Sequence, residues 1–295
     1  MAGSGGGQSP VWPAASQPAS RRELGRTYRG WLGYADRTPV QPRELRYGSR
    51  EFHAASDLAR RLPYSPGVRA LIGSVVRDPA LIRVFVAVWR LPVIDLQVRR
   101  AGADAWSEAS PVGRTIATGR WAQAVLELPT VEGPYLAGRP KQALRTNLRH
   151  SRDCGVTSER ILTFEAWFEA AGHILRARHD GHVLARDMDK PGPGQQVAYY
   201  VARDADESPL AYARVALLGQ FAVLLSLISH LDRSPSASWA RYQLHTSLAL
   251  NLGCSGVKYL IVGSAFREPD GNQYFQHLLG YRALNLRVKV IENQA

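Results

Sequence analysis

PLAYARVALLGQFAVLLSLIS, residues 209–229, contains two apolar runs joined by Gly219 and Gln220. Two such runs around a two-residue connection that begins with glycine predict a tight β-hairpin. We therefore expect one strand over Leu210–Leu218 and a second over Phe221–Ser229. The order of the remaining predicted elements is given relative to this hairpin.

The residues after the hairpin alternate between helical and strand-like patterns. Ser234 followed by Pro235 is typical of a helix start, because the serine hydroxyl caps free N–H groups and proline lacks only an N–H that the first helical position leaves unused. Ala240, Leu244 and Leu248 then give that helix one apolar face. The predicted elements are a helix from Ser234 to about Leu252 ended by Gly253, a strand over Val257–Val262, a helix over Asn272–Leu279 ended by Gly280, and a strand over Tyr281–Val290.

Length and composition limit the protein class. The chain has 295 residues, 45% of them hydrophobic, which supports one large or two modest folded domains. It contains no apolar run of about 18 residues or more and no basic-then-apolar N-terminus, so we expect neither a transmembrane helix nor a signal peptide. Its two cysteines, Cys154 and Cys254, do not make a disulfide framework. A cytoplasmic location is the expectation.

The charge is strongly basic. The formal net charge is +12 and the isoelectric point is about 10.1. This favours a polyanionic partner, such as nucleic acid, an anionic membrane surface or a phosphate-rich cofactor. A genome rich in G and C is the alternative explanation for abundant arginine.

The chain divides into three predicted regions. Residues 1–20 are Gly, Ser, Pro and Ala with almost no charge, which predicts a disordered tail. Residues 21–135 form an N-terminal α/β region, interpreted either as a degenerate copy of the later half or as an arm. Residues 136–295 form the principal domain. The strands predicted in the middle region are Leu81–Val88, Val93–Arg99 and Trp121–Leu128.

Gly138–Gly155 (GRPKQALRTNLRHSRDCG) predicts a basic helix. Leu144 and Leu148 mark its apolar side. A cationic stripe on a neighbouring face suits phosphate contacts, although a solvated helix face explains it equally well. The stripe consists of Lys141, Arg145, Arg149 and Arg152. A second helix follows over Thr163–Arg178, with the predicted inward residues Phe164, Phe168, Ala171 and Leu175.

The order of elements over residues 209–290, together with FQHLLGYR at Phe275–Arg282, resembles the second half of the GNAT acyltransferase fold. The resemblance implies an α/β fold with a mixed sheet that splays open between two parallel strands, flanked by helices. The acyl donor would enter that gap. The N-terminus of the intervening helix would face the donor's phosphates, as helix N-termini favour anions.

The basic helix resembles the entry to the C-terminal GNAT-like domain of Fem-type aminoacyl transferases. The matching residues are Lys141, Leu144, Arg145, Asn147, Leu148, Arg149, Gly155 and Val156. This resemblance implies transfer of an acyl or aminoacyl group to an amine, with acyl-coenzyme A or aminoacyl-tRNA as the donor. It also implies tRNA contacts by the cationic stripe. Residues 232–239 lack the glycine-rich turn of coenzyme A-binding GNAT enzymes, which favours the Fem-type branch.

These resemblances imply a candidate site. The donor-binding residues would be Arg145, Arg149, Arg233, Ser234, Ser236, Ala237 and Ser238. His230 would act as the base, with Asp232 setting its tautomer. Gln276 occupies the position of the tyrosine acid of many GNAT enzymes, and Tyr274 is two positions away. No metal is expected. The alternative is a catalytically inactive GNAT-like module that binds RNA or a protein partner through its basic surface.

Overall fold

The structure, a computed structural model, describes residues 45–61, 81–99, 122–176, 188–192, 194–230 and 235–291. All of them belong to the second of the two units into which the chain divides, Val40–Ala295. The predicted disordered tail, residues 1–20, lies outside the described residues, as do Asp232, Arg233 and Ser234 of the predicted site.

The described elements alternate between helices and strands. In chain order they are α1 (Arg50–Arg61), α2 (Leu81–Trp89), β1 (Val93–Arg99), β2 (Gln123–Glu127), α3 (Glu132–Leu136), α4 (Gln142–Asp153), β3 (Thr157–Ile161), α5 (Phe164–Arg176), β4 (Gln196–Arg203), β5 (Pro209–Leu218), β6 (Phe221–Ser229), α6 (Pro235–Cys254), β7 (Tyr259–Ser264), α7 (Asp270–Leu279) and β8 (Arg282–Ile291). The strands form an eight-stranded mixed sheet in the order β1-β8-β2-β7-β6-β5-β4-β3. The predicted fold class, a mixed α/β sheet flanked by helices, is confirmed.

The hairpin of β5 and β6 forms as predicted. Leu218 lies opposite Phe221 across the two-residue connection, and the antiparallel ladder continues to the pair of Ala211 and Ser229. Helix α6 also has the predicted inward face, because Ala240, Leu244 and Leu248 are all fully buried. These elements follow from local sequence alone, through turn chemistry and helical periodicity.

The sheet parts between β6 and β7. These strands are parallel, and they pair only where Phe221–Val223 lies beside Tyr259–Ile261. Beyond that point β6 remains paired with β5 as far as Ser229, whereas β7 remains paired with β2 as far as Ser264. The two strands therefore diverge, and a gap opens in the middle of the sheet.

The region before residue 136 supplies two strands of the same sheet. Strand β2 lies between β7 and β8 and is antiparallel to both, while β1 pairs in parallel with β8 at the edge. The predicted division of the chain at residue 135 stays a prediction. The sheet, however, joins strands from both sides of that boundary.

Helices cover both faces of the sheet. Alternate side chains of β4 point to opposite sides, so Tyr200 lies in the core with Leu244 of α6. Tyr199 and Val201 lie in a second core with Trp167 of α5. This period of two is the usual way in which a strand serves two packing layers.

Two predictions about helices were wrong. Leu81–Val88 was expected to be a strand, but it lies in helix α2, with Val84 buried. A short apolar run with β-branched residues fits either structure, and periodicity does not separate them. In α5, Phe168 was expected to point inward, but it is 46% exposed, and its neighbour Trp167 is buried instead.

Gly253 does not end helix α6 as predicted, because the helix continues to Cys254. A Cβ atom at residue 253 would lie 2.1 Å from the carbonyl oxygen of Pro129. The glycine therefore serves a close approach between α6 and the backbone that follows β2. No local signal in the sequence distinguishes this role from a helix stop.

We expect Gly253→Ala to lower the free energy of unfolding by about 2–3 kcal/mol, since overpacking against rigid backbone outweighs alanine's better helix propensity. Gly172→Ala in α5 is the matched control. Its Cβ would meet only the flexible end of Arg176, at 3.3 Å, so it should be neutral or stabilising by up to about 1 kcal/mol. Urea unfolding of both variants measures the difference. Equal stabilities would show that the Pro129 contact yields easily.

Candidate functional site

A cavity lies where β6 and β7 part. Its volume is about 200 Å³. Both diverging strands and the two helices that follow them contribute to its wall. The lining residues are Leu224, Leu225, Ser226, Leu227, Arg241, His245, Val262, Gly263, Glu268, Asn272, Phe275, Gln276 and Tyr281.

A histidine–tyrosine pair lies in the wall of this cavity. His245 is one helical turn after Arg241 on α6, and its Nε2 atom lies 2.7 Å from the hydroxyl oxygen of Tyr281. Tyr281 reaches that position because α7 ends in a left-handed residue, Gly280, with φ 95°. The imidazole also packs edge-on against Phe275, with ring centroids 5.8 Å apart. Packing therefore fixes the orientation of both side chains.

Both members of the pair are neutral near pH 7. Burial, with the positive charges of Lys141 and Arg241, lowers the pKa of His245 to about 3. Burial raises the pKa of the Tyr281 phenol well above its ordinary value, and Tyr135 adds to that effect. A buried site disfavours the charged form of each group, which is imidazolium for one and phenolate for the other.

Two side chains hold the end of α7, from which Tyr281 emerges. Lys141 donates from Nζ to the carbonyl of Leu278 at 3.0 Å, and the Tyr135 hydroxyl donates to the carbonyl of Leu279 at 2.9 Å. The Lys141 ammonium also lies 4.6 Å from the centre of the Tyr135 ring. Burial lowers the pKa of Lys141 to about 8. These contacts satisfy carbonyls that the helix end leaves without intrahelical partners.

A polar chain forms another part of the wall. Arg241 donates to Oδ1 of Asn272 at 3.4 Å, and Nδ2 of Asn272 donates to Oε2 of Glu268 at 3.1 Å. The Arg241 guanidinium lies 4.7 Å from the centre of the Phe275 ring. Arg60 of α1 donates to the Glu268 carbonyl at 3.0 Å. The loop before α7 is thus held from two sides.

Some buried polar atoms of the wall have no hydrogen-bond partner. Among the residues that the structure describes, these include Ser226 Oγ and His245 Nδ1. Leaving such an atom unpaired costs about 1–3 kcal/mol. A ligand in the cavity that supplied partners would recover part of that cost.

The predicted acid–base pair is only partly described. His230 lies at the end of β6, and its backbone N–H donates to the Leu210 carbonyl at 2.8 Å. It is half-buried and is not among the residues that line the cavity. Ser236, Ala237 and Ser238 lie in the first turn of α6, where Ala237 is buried and Ser238 is exposed. The assignment of these residues stays a prediction.

Three residues of the predicted cationic stripe, Arg145, Arg149 and Arg152, are exposed on α4, and the fourth leaves that face. Lys141 lies in a 3₁₀ turn before α4 and is directed under α7, not along the helix face. Arg145 donates to the carbonyls of Leu136 and Gly138. Arg152 pairs with Glu132 at 2.7 Å, and Arg149 is exposed. The proposed tRNA contacts stay a prediction.

The sequence analysis missed His245, Tyr281, Arg241 and Glu268. One available signal was a histidine and an arginine four residues apart in a helix otherwise rich in apolar residues, a spacing that places both side chains on one face. A second was the aromatic residue directly after the helix-ending Gly280. The convergence of these groups on one cavity depends on the tertiary fold.

Within the described ranges, no three His, Cys, Asp or Glu side chains are grouped so that they could hold a metal ion. None of the helices in this part of the chain has the length and apolar character needed to cross a membrane.

No protein-family profile matches the sequence, and no curated protein is significantly similar to it. Similar solved structures include L-PGS from Bacillus licheniformis, with 11% identity over 55% of this chain and 58% of that chain and a TM-score of 0.42. They also include a GCN5-related N-acetyltransferase from Kribbella flavida, with 14% identity over 56% and 55% and a TM-score of 0.34. A tandem GNAT protein from the clavulanic acid biosynthesis pathway has 13% identity over 56% and 50% and a TM-score of 0.34. The chain thus spans between 50% and 58% of the length of these proteins.

The fold can be classified from its topology alone. It has a mixed sheet that opens between two parallel strands, β6 and β7, with helix α6 joining them and helix α7 leading into the last strand. This is the arrangement implied by the resemblance noted in the sequence, and the fold is GNAT-like.

Proposed function

We propose that this protein is an acyltransferase that transfers an acyl or aminoacyl group to an amine. The observation that carries the proposal is the His245–Tyr281 pair in the wall of the cavity where β6 and β7 part. A reacting group at this position would lie beside a hydrogen bond between two buried, neutral side chains. Such a setting strengthens electrostatic and hydrogen-bonding contacts.

The free edge of β6 is suited to bind an extended acyl donor. After Val223, the edge of β6 that faces the cavity has no strand partner among the described residues. Free backbone N–H and C=O groups on a strand edge bind an extended chain that contains amides. The acyl-carrying arm of coenzyme A is such a chain. Helix α6 begins at Pro235, six residues after the end of β6, and a helix N-terminus favours phosphate.

The tautomer of His245 determines whether the Tyr281 O–H is used in the bond to the histidine or is available to a ligand in the cavity. If Nδ1 carried the hydrogen, a buried N–H donor would have no partner, which is rarer than an unpaired acceptor. The hydrogen therefore belongs on Nε2, which donates to the Tyr281 oxygen. Tyr281 then keeps its own O–H for the cavity. Burial raises its pKa, so Tyr281 stays protonated and uncharged near pH 7.

The proposed step uses that proton. The amine nitrogen attacks the acyl carbon, a C–N bond forms, and the bond from the acyl carbon to the sulfur or oxygen of the donor breaks. Tyr281 gives its proton to the leaving atom. It regains one from the nitrogen, which loses a hydrogen as the amide forms. His245 stays neutral and holds the phenol in place through Nε2.

The donor is either acyl-coenzyme A or aminoacyl-tRNA. The Fem-type pattern at Lys141–Val156 and the net charge of +12 favour the tRNA-linked donor. The inward position of Lys141 removes one of the four predicted contacts from the surface, and the Glu132 carboxylate offsets the charge of the exposed Arg152. The inactive binding module gives no role to the hydrogen-bonded His245–Tyr281 pair in the cavity wall.

Donor binding should raise the melting temperature by mass action. We would heat the purified protein with acyl-coenzyme A, with aminoacyl-tRNA and with bare tRNA, each at two salt concentrations. A shift with acyl-coenzyme A alone identifies that donor. A shift with charged tRNA alone supports the Fem-type assignment. Equal, salt-sensitive shifts with bare and charged tRNA would favour the binding module instead.

Tyr281→Phe should lower kcat by about 10²–10³-fold, because the leaving atom loses its positioned acid. The measurement is the release of coenzyme A thiol or of uncharged tRNA from the donor that binds. Tyr274→Phe is the matched control, since Tyr274 lies on α7 but is 46% exposed. If both variants kept wild-type turnover, Tyr281 would not be the acid.

His230→Ala tests the earlier site assignment. The sequence predicts loss of product because His230 would act as the base. The position of His230 outside the cavity lining predicts that turnover persists. Rates of His230→Ala and Tyr281→Phe, measured with the same donor, decide between the two assignments.

The stability of the protein should depend on pH through His245. An unfolded histidine has a pKa of about 6.5, whereas the pKa of His245 in the fold is about 3. As the pH falls between these values, the unfolded state takes up a proton that the folded state does not, so stability is lost. Between pH 7 and pH 5 the wild type should lose about 2 kcal/mol more than His245→Gln.

Urea unfolding at both pH values gives this difference. His173→Gln, at an exposed position of α5, serves as the control and should follow the wild type. Identical pH dependence in the wild type and His245→Gln would mean that His245 takes up its proton without unfolding.

A further inference from the structure

One carboxylate, that of Glu268, belongs to the described part of the cavity wall, and the contacts around it suggest a ligand. We propose that Glu268 binds a primary ammonium group of a substrate in the cavity between β6 and β7. The inference rests on the proposed function, because it concerns the same cavity. It adds the chemical class of the group that the cavity recognises.

The two oxygens of Glu268 differ in their contacts. Oε2 accepts a hydrogen bond from Nδ2 of Asn272 at 3.1 Å. Oε1 accepts none from any residue in the described ranges, and Glu268 lines the cavity. Oε1 lies 3.3 Å from the position that a Cβ atom would take at Gly263. A side chain there would press on the carboxylate, so glycine at this point of β7 leaves room beside Oε1.

No described cation forms an ion pair with this carboxylate. Arg60 of α1 pairs with the Asp270 carboxylate and contacts Glu268 through its backbone carbonyl. Arg241 contacts Asn272 and packs on Phe275. A partly buried carboxylate whose only side-chain partner is a neutral amide is stabilised further by a cationic ligand.

The single available oxygen limits what that cation is. A guanidinium binds a carboxylate best through two parallel hydrogen bonds, which need both oxygens. Since Asn272 already occupies Oε2, only Oε1 remains. A primary ammonium is a compact charge that one oxygen accommodates. Among the described residues that line the cavity, Glu268 is the only acidic one, so it is the point in this part of the wall at which a cation is favoured.

Either of two substrates of an acyl-transfer reaction can carry the primary ammonium group. One is the α-ammonium of an aminoacyl donor. The other is the acceptor amine, which arrives protonated and must lose a proton before it attacks. Both have the same binding chemistry, so the test separates them with different probes.

The test uses two pairs of small probes that differ in charge. Alaninamide carries an ammonium where lactamide carries a hydroxyl, and this pair represents the aminoacyl group. Butylamine and butanol form the second pair and represent the acceptor. Chemical-shift titration by NMR at pH 7 gives each affinity for the full chain. We expect the cationic member of at least one pair to bind about tenfold more tightly than its neutral partner, as one charge-assisted contact predicts.

Glu268→Gln keeps the shape and the Asn272 contact but removes the charge, so it should abolish that preference. Glu268→Asp, which draws the carboxylate back, should weaken it. Glu51→Gln, at an exposed position of α1, should leave it unchanged. A preference confined to alaninamide assigns the subsite to the donor, and one confined to butylamine assigns it to the acceptor. A preference in both pairs supports the subsite and assigns it to both.

Three results would overturn the proposal: equal affinities within both pairs, no binding of any probe, or a preference that persists in Glu268→Gln. Binding of the probes requires no turnover. Probe binding therefore tests the ammonium subsite, and a turnover assay on the same preparation tests the transferase activity. Either proposal can fail while the other holds.

Discussion

The parting of β6 from β7 is the constraint on which the rest of the structure depends. Three residues of each strand pair, and then each strand follows its other neighbour. The backbone groups left at the gap need partners, since unpaired buried backbone is costly. Helix α6 connects the two strands, and α7 follows β7, so both helices meet the gap. The cavity, the histidine–tyrosine pair and the polar chain to Glu268 are all built on this divergence.

Charge and burial act together around the gap. Lys141 and Arg241 are both positive, and both lower the pKa of His245. The same Lys141 binds the end of α7, so one side chain influences both the position of Tyr281 and the protonation of its partner. A change at Lys141 would therefore affect geometry and charge at once, and effects of mutations at these residues would not be additive.

Features set by neighbours in the sequence were predictable, and features set by distant residues were not. The β5–β6 hairpin, the inward face of α6 and the end of α7 at Gly280 follow from turn chemistry, periodicity and helix ends. The prediction of a strand over Leu81–Val88 was wrong because a short apolar run fits a strand or a helix. The prediction that Gly253 ends α6 was wrong because this glycine allows a close approach to the backbone of Pro129, which lies far earlier in the chain. The cavity residues share no local motif, and only the fold brings them together.

The position of β2 has a consequence for synthesis on the ribosome. Strands β1 and β2 are made early, but both pair with β8, the last strand described. Until that strand emerges, β1 has no described neighbour and β2 has at most β7 beside it. Their apolar side chains, such as Leu96 and Val125, stay without that part of their core until β8 has been synthesised. Non-local pairing of this kind slows folding and lengthens the time in which exposed strands can aggregate.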